Sequence, residues 1–207
     1  MTKKALIMID LQNDFCRGGN LAVKGADEII PIANHLQTQF DLIIATKDWH
    51  PADHMSFASN HLGRAVNEMI VVDGRKEMLW PDHCIQKSHG ASLHSDLKID
   101  KIDATFHKGT DKTIDSYSAF FDNAHRRATG LGDYLKKKNV ADIYLIGLAT
   151  DYCVKFSALD ARQLGFNVHV MVDACRGVEL REGDVTRSLI EMENAGITLV
   201  KSIHAPH

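Results

Sequence analysis

Six short apolar runs punctuate the chain: Ala5–Ile9, Leu42–Ala45, Ile102–Phe106, Ile143–Leu148, Val168–Val172 and Ile197–Val200. Each has strand length, and near-continuous apolarity predicts burial on both faces, as in a parallel sheet. Between them apolar residues recur at three- and four-residue spacing. That pattern predicts helices over Asp27–Phe40, with Ile29, Ile32, Leu36 and Phe40 on one face, over Asp151–Leu164 ending at Gly165, and over Asp184–Ala195 ending at Gly196. Alternating strands and helices imply an α/β fold, a three-layer αβα sandwich around a mostly parallel sheet of about six strands with right-handed crossovers. One stretch breaks the alternation. Residues 47–101 are rich in His, Asp, Trp and Pro and hold one clear apolar run, Met69–Val72, so they read as a loop-rich insertion, the kind of long loop that usually carries function.

At 207 residues the chain fits one domain, 1–207, carrying that enlarged loop region. The 24 basic and 27 acidic residues give a net charge of −3, so the overall field does not draw nucleic acid or anionic lipid. The apolar run after the N-terminus, Ala5–Ile9, is too short for a secretory signal, and no run approaches the ~20 residues of a membrane helix. Cys16, Cys84, Cys153 and Cys175 show no Cys-x-x-Cys spacing, which suggests free thiols in a cytoplasmic protein.

In open parallel sheets ligands bind beyond the carboxyl ends of the strands. There the chain places Asp10 after the first run, Asp48 and His50 after the second, His107-Lys108-Gly109 after the third and Thr150 to Cys153 after the fourth. Cys153 leaves a buried strand for the first turn of a helix, whose positive end is worth roughly 0.3–1 kcal/mol to a thiolate. Lowering a thiol from about 8.5 to about 7 takes roughly 2 kcal/mol, so a second positive charge is required, and Lys108 is the candidate. Asp10 closes an apolar strand, where a carboxylate has to be paired, capping or catalytic. Asp48 and His50, two apart on an extended chain, face one side and can share a metal ion, with His54 or His83 as a third ligand. Such a set suits zinc, iron or manganese and leaves coordination positions open. Phe15 and Trp80 can stack on a flat ring, and Gly18-Gly19 lets the first loop approach a ligand or another backbone. His61, His89, His94, His125, His169, His204 and His207 read as exposed or hydrogen-bonded side chains.

Taken together, Asp10-Leu-Gln-Asn-Asp-Phe15-Cys16-Arg-Gly-Gly19, Asp48-Trp-His50-Pro, Trp80-Pro-Asp-His83-Cys84, His107-Lys108-Gly109, Asp115-Ser-Tyr-Ser-Ala-Phe120 and Gly147-Leu-Ala-Thr-Asp-Tyr-Cys153-Val resemble the nicotinamidase/pyrazinamidase group of the isochorismatase-like hydrolase superfamily. The resemblance implies a triad of Cys153 as nucleophile, Asp10 as acid/base and Lys108 as positive partner. It implies one divalent ion on Asp48, His50 and His83, zinc first with iron and manganese as alternatives, receiving the pyridine nitrogen. His54 matches a position that ligates directly in some relatives and through water in others. Phe15 and Trp80 match ring-stacking positions, and the backbone N–H groups of Ala149 and Cys153 an oxyanion hole beside a cis Leu148–Ala149 peptide. The implied reaction is hydrolysis of nicotinamide, a small-molecule substrate, to nicotinate and ammonia through a cysteine thioester in NAD salvage, with pyrazinamide as a further substrate. Two rivals keep the pocket: a metal-bound water as nucleophile with a structural Cys153, or a binding protein without turnover. Isochorismatase or another carboxamide hydrolase is a third, although such relatives are not expected to carry the Asp48/His50/His83 set.

Overall fold

In the computed structural model, residues 3–202 are described. Strands β1 (Lys3–Ile9), β2 (Leu42–Asp48), β5 (Ala104–Lys108), β6 (Val140–Leu148), β7 (Asn167–Arg176) and β8 (Thr198–Val200) form one sheet in the order β5-β2-β1-β6-β7-β8, with every pairing parallel. From β1 the chain crosses outward to β2, then returns to β6 on the other side, so the sheet's switch point lies at β1.

The period-two pleat sorts β1 between two cores. Leu6 and Met8 pack with Ile29, Ala33 and Leu36 of helix α1 (Ile29–Leu36). Ala5, Ile7 and Ile9 pack with α2 (Leu131–Lys137), α3 (Lys155–Gln163) and α4 (Asp184–Asn194) through Leu131, Leu135, Ala158, Ala161 and Met192. On the α1 side the second covering element is not a helix. Cys84, Ala91 and Leu97 of the long insertion complete that core, which ties the insertion to the sheet.

Several elements differ from their predicted extents. Helix α1 ends at Leu36, not Phe40, because the Thr38 hydroxyl donates to the His35 carbonyl at 2.7 Å and offers the backbone a local alternative to the next helical turn. Helix α2 was not predicted; over seven residues with Gly132 inside, its apolar periodicity reduces to Leu131 and Leu135. Strand β5 runs two residues later than the Ile102–Phe106 run, since the Asp103 carboxylate accepts the Ile43 N–H at 2.8 Å before the ladder begins. The insertion contains an antiparallel hairpin, β3 (Met69–Val72) and β4 (Arg75–Met78). Asp73 and Gly74 at its tip both take positive φ, 49° and 77°, the conformation for which Asp-Gly is favoured in two-residue hairpins.

Candidate active site

Four neighbouring strands, β5, β2, β1 and β6, end at one edge of the sheet. The parallel register of β2 and β5 sets Asp48 opposite Lys108, and the Lys108 ammonium bonds the Asp48 Oδ1. Its other partners are Asp10 Oδ2 at 2.9 Å, the Ser116 carbonyl at 3.1 Å and Cys153 Sγ at 3.3 Å. A carboxylate oxygen of Asp10, one of Asp48 and the Cys153 sulfur all lie within 4.8 Å of one another. The sulfur, acid and amine therefore meet, and all three residues are buried.

Asp10 has a φ of 51°, a left-handed conformation that costs a non-glycine residue on the order of 1–3 kcal/mol and persists only where surroundings impose it. Thr46 does so twice: its hydroxyl accepts the Asp10 N–H at 3.2 Å and donates to Asp10 Oδ1 at 2.7 Å. Cys153 belongs to a π-helical turn, Thr150–Val154, that leads into α3, a rare distortion frequent at functional sites. The Leu148–Ala149 peptide is cis.

The charge balance departs from the expectation of a depressed thiol. Burial pushes Cys153 well above the ordinary cysteine range; Lys108 opposes this, but Asp10 and Asp48 reinforce it. One ammonium facing two carboxylates leaves no surplus positive charge for a thiolate. Burial likewise raises Asp10, to about 6, against the pull of Lys108, and Asp48, which burial alone would raise, is held low by Lys108 with His50 and His83. These surroundings favour the neutral thiol over the thiolate.

On the far side of Asp48, the His50 and His83 Nε2 atoms stand 3.7 and 3.8 Å from its Oδ2, and one ligand atom from each of the three residues lies within 4.8 Å of the others. Nδ1 of His50 faces the Gly109 carbonyl at 2.9 Å, and Nδ1 of His83 the Pro81 carbonyl at 2.7 Å. Donation to those carbonyls leaves each Nε2 as a lone pair, the outer-layer arrangement of metal-ligating histidines. His50 Nε2 is buried without a hydrogen-bond partner, a cost that a cation would remove. Burial pushes His83 down to about 4, which keeps it a neutral donor. His50, which burial alone would lower, is held above the ordinary imidazole range by Asp48, so that a cation there would take the place of a proton. The donor set fits a divalent ion. His54 is not brought into this set: its Nδ1 pairs with the Ser56 hydroxyl at 2.8 Å, its Nε2 lies 3.3 Å from the Ile114 carbonyl, and it clusters with His50 and Asp115.

A narrow cavity of about 30 Å³ opens beside these groups, lined by Phe15, Asp48, Trp80, His83, Ala149 and Cys153 among others, well below the ~300–1,000 Å³ typical of sites that enclose a small molecule. Over the same chain, residues 4–203 match the Isochorismatase domain family. The chain belongs to the isochorismatase family. It is 48% identical over 203 residues to the Nicotinamidase of Escherichia coli (strain K12), covering 96% of this chain and 95% of that protein. Among solved structures, a nicotinamidase/pyrazinamidase of Acinetobacter baumanii matches with a TM-score of 0.95 at 43% identity over 98% of both chains. The Pyrococcus horikoshii pyrazinamidase in complex with zinc matches at 0.78 and 35% identity, over 96% of this chain and 99% of that one.

Several groups that shape the site carried no assigned role in the sequence. Tyr117, Tyr152 and Asp115 also line the cavity. Asp115 and Tyr117 sit in the quoted Asp115–Phe120 motif, so the motif was visible and its contacts were not. Gln12 clamps the end of β2: its Nε2 donates to the Asp48 and Ala91 carbonyls at 2.8 and 3.0 Å, and its Oε1 accepts the Asp48 N–H at 2.8 Å. Asp14 Oδ2 accepts the Cys84 N–H at 2.7 Å. Gly19 serves a close approach to another backbone, for a Cβ there would collide with the Asp14 carbonyl. Cys16, Cys84 and Cys175 are free and buried. His61 and His125 take the polar partners expected of ordinary histidines, the Met55 carbonyl and Asp160; His204 and His207 lie outside the described residues.

Proposed function

We propose that this chain is a metal-containing nicotinamidase that converts nicotinamide to nicotinate and ammonia through a thioester on Cys153, in NAD salvage, and that it also hydrolyses pyrazinamide. The observation that carries the reading is the meeting of Cys153 Sγ, Lys108 Nζ and Asp10 beside a cavity that Cys153 lines together with Asp48 and His83. Asp48, His50 and His83 would hold the metal. When bound, a divalent ion there supplies a Lewis-acidic seat for the pyridine nitrogen, orienting the carboxamide toward the sulfur. Two imidazoles and one carboxylate suit zinc, iron or manganese alike, and the zinc complex of the Pyrococcus horikoshii relative is what favours zinc. Free cysteines, and no helix among the described residues long and apolar enough to cross a membrane, support a cytoplasmic location.

In this reading Phe15 and Trp80 hold the ring. As Cys153 Sγ bonds to the carboxamide carbon, its proton passes to Asp10, which with a pKa of about 6 is ionised and ready to accept it at neutral pH. The carbonyl electron pair moves onto oxygen, where the backbone N–H groups of Ala149 and Cys153 donate; a well-placed donor is worth about 3 kcal/mol. Lys108 compensates the charge that builds on sulfur. Collapse of the tetrahedral centre breaks the C–N bond, and the departing nitrogen takes the proton from Asp10 and leaves as ammonia. Water then adds to the thioester carbon and gives its proton to Asp10. The C–S bond breaks, sulfur recovers the proton, and nicotinic acid departs.

Ammonia release from nicotinamide, measured on zinc-loaded protein, tests this. Cys153→Ala is expected to lose more than ~1,000-fold in kcat, since a nucleophile acting within a unit cannot be replaced by its partners. Activity retained within tenfold would remove the covalent step, and loss on chelation alone would favour a metal-bound water.

A further inference from the structure

We propose that Asn123, oriented by Glu77 of the β3–β4 hairpin, is the positioning residue for the segment Asp115–Tyr117, and that this pair sets both the stacking wall and the environment of the lysine; the proposal rests on the nicotinamidase reading. The segment lies outside the regular helices and strands, so no ladder holds it, yet it serves the site three times. The Ser116 carbonyl accepts from Lys108 Nζ at 3.1 Å. The Tyr117 hydroxyl accepts from Trp80 Nε1 at 3.1 Å. The Asp115 carboxylate lies within 4.8 Å of ring nitrogens of His50 and His54.

Asn123 grips this segment at both ends. Its backbone N–H donates to the Asp115 carbonyl at 2.8 Å, and its side-chain Oδ1 accepts the Tyr117 N–H at 3.0 Å. An amide side chain has two nearly isosteric orientations, and only one presents oxygen to Tyr117. Glu77 selects it, because its carboxylate Oε2 accepts from Asn123 Nδ2 at 3.1 Å, which leaves the amide oxygen toward Tyr117. Glu77 is 3% exposed, an unusual place for a carboxylate without a task. Arg75 Nε, at 3.5 Å from Glu77 Oε1, balances its charge. Through this relay a hairpin that contributes no wall to the cavity governs the angle of Trp80 and one of the partners of Lys108.

The test uses zinc-loaded full-length protein, with kcat and KM for nicotinamide and the emission of Trp80 read in a Trp49→Phe background that leaves Trp80 as the one indole. Tyr117→Phe removes the acceptor for Trp80 alone, so KM is expected to rise about fivefold, the worth of one hydrogen bond, with kcat within twofold. Asn123→Ala and Glu77→Ala free the Tyr117 end of the segment, the backbone grip on Asp115 remaining, and are expected to raise KM and lower kcat together, each lowering kcat/KM about tenfold, while Glu77→Gln, whose amide oxygen still accepts, recovers most of the loss. Because the two residues act as one unit, the double variant should be no worse than Asn123→Ala. Trp80 emission should shift in Tyr117→Phe, Asn123→Ala and Glu77→Ala and stay in place in Glu77→Gln. The proposal is overturned if Glu77→Ala leaves kcat, KM and Trp80 emission at their original values, or if the losses of the two alanine variants multiply. If Asn123→Ala does not fold, Glu77→Ala against Glu77→Gln decides. If the unmodified protein does not turn over nicotinamide, the functional reading fails and Trp80 emission by itself decides the relay.

Discussion

Replacing Gly109 by alanine puts the metal-side geometry to a quantitative test. Gly109 follows the last residue of β5 with a φ of +63°, and a Cβ built there would lie 2.5 Å from His50 Nδ1 and closer still to Cε1. The imidazole has nowhere to retreat, since His54 and His83 rings stand 4.2 and 4.9 Å from its centroid and Phe57 meets it edge-on at 5.5 Å. The backbone must yield, and with it the 2.9 Å contact between His50 Nδ1 and the Gly109 carbonyl. A left-handed alanine costs roughly 1–2 kcal/mol, and the lost hydrogen bond about 1 kcal/mol more, for a total of about 2–3 kcal/mol. For a chain of this size that lowers the melting temperature of the metal-free protein by about 4–12 °C. Loss of an outer-layer partner typically weakens metal binding about 10–100-fold, to be measured by zinc competition against a chromophoric chelator. Gly165→Ala is the control. Its φ is +90° but a Cβ there meets nothing within 4 Å, so it should show the backbone cost without the change in zinc affinity. If Gly109→Ala binds zinc within threefold of the original protein, the Gly109 carbonyl does not orient His50 and the account of the metal seat is wrong.

Thr46→Val removes the hydroxyl that donates to Asp10 Oδ1 and lowers its pKa. Asp10 must be ionised to take the thiol proton, so the acid limb of kcat/KM, expected near pH 6, should move up by about 1 pH unit; a limb that stays in place or moves down would show that Asp10 is not the group titrating. Gln12→Ala strips partners from three buried backbone groups, the Asp48 N–H and the Asp48 and Ala91 carbonyls, at about 1–3 kcal/mol each. Urea unfolding should show at least ~3 kcal/mol of lost stability, and a loss below ~1 kcal/mol would mean that water replaces the side chain.

Local chemistry was legible along the chain wherever it depended on period or on strand ends. The apolar runs located all six strands of the main sheet to within a few residues, and the residues after four of them, Asp10, Asp48, Lys108 and Cys153, are the ones that meet, because a parallel sheet delivers its carboxyl ends to one edge. The Asp73-Gly74 hairpin likewise has a local turn signal, and the apolar run Met69–Val72 is its first strand. Other features depend on distances between segments remote in the chain. That His83 stands beside Asp48 while His54 sits with His50 and Asp115 depends on how segments about thirty residues apart pack, and the pairing of Asp48 with Lys108 on a register that shifting β5 by two residues would abolish. The proton of Cys153 is decided by burial and by two carboxylates sharing one ammonium, a three-body balance that neither the helix end nor Lys108 predicts separately. Glu77 and Asn123 look like ordinary polar residues of a hairpin and a loop; only folding buries one beside the other and turns them toward Tyr117. Sequence thus determined which chemical groups the sheet edge would receive, because periodicity and chain direction are local properties, whereas their partners, protonation and orientation were settled by the tertiary packing, because burial and electrostatic coupling exist only between segments that folding brings together.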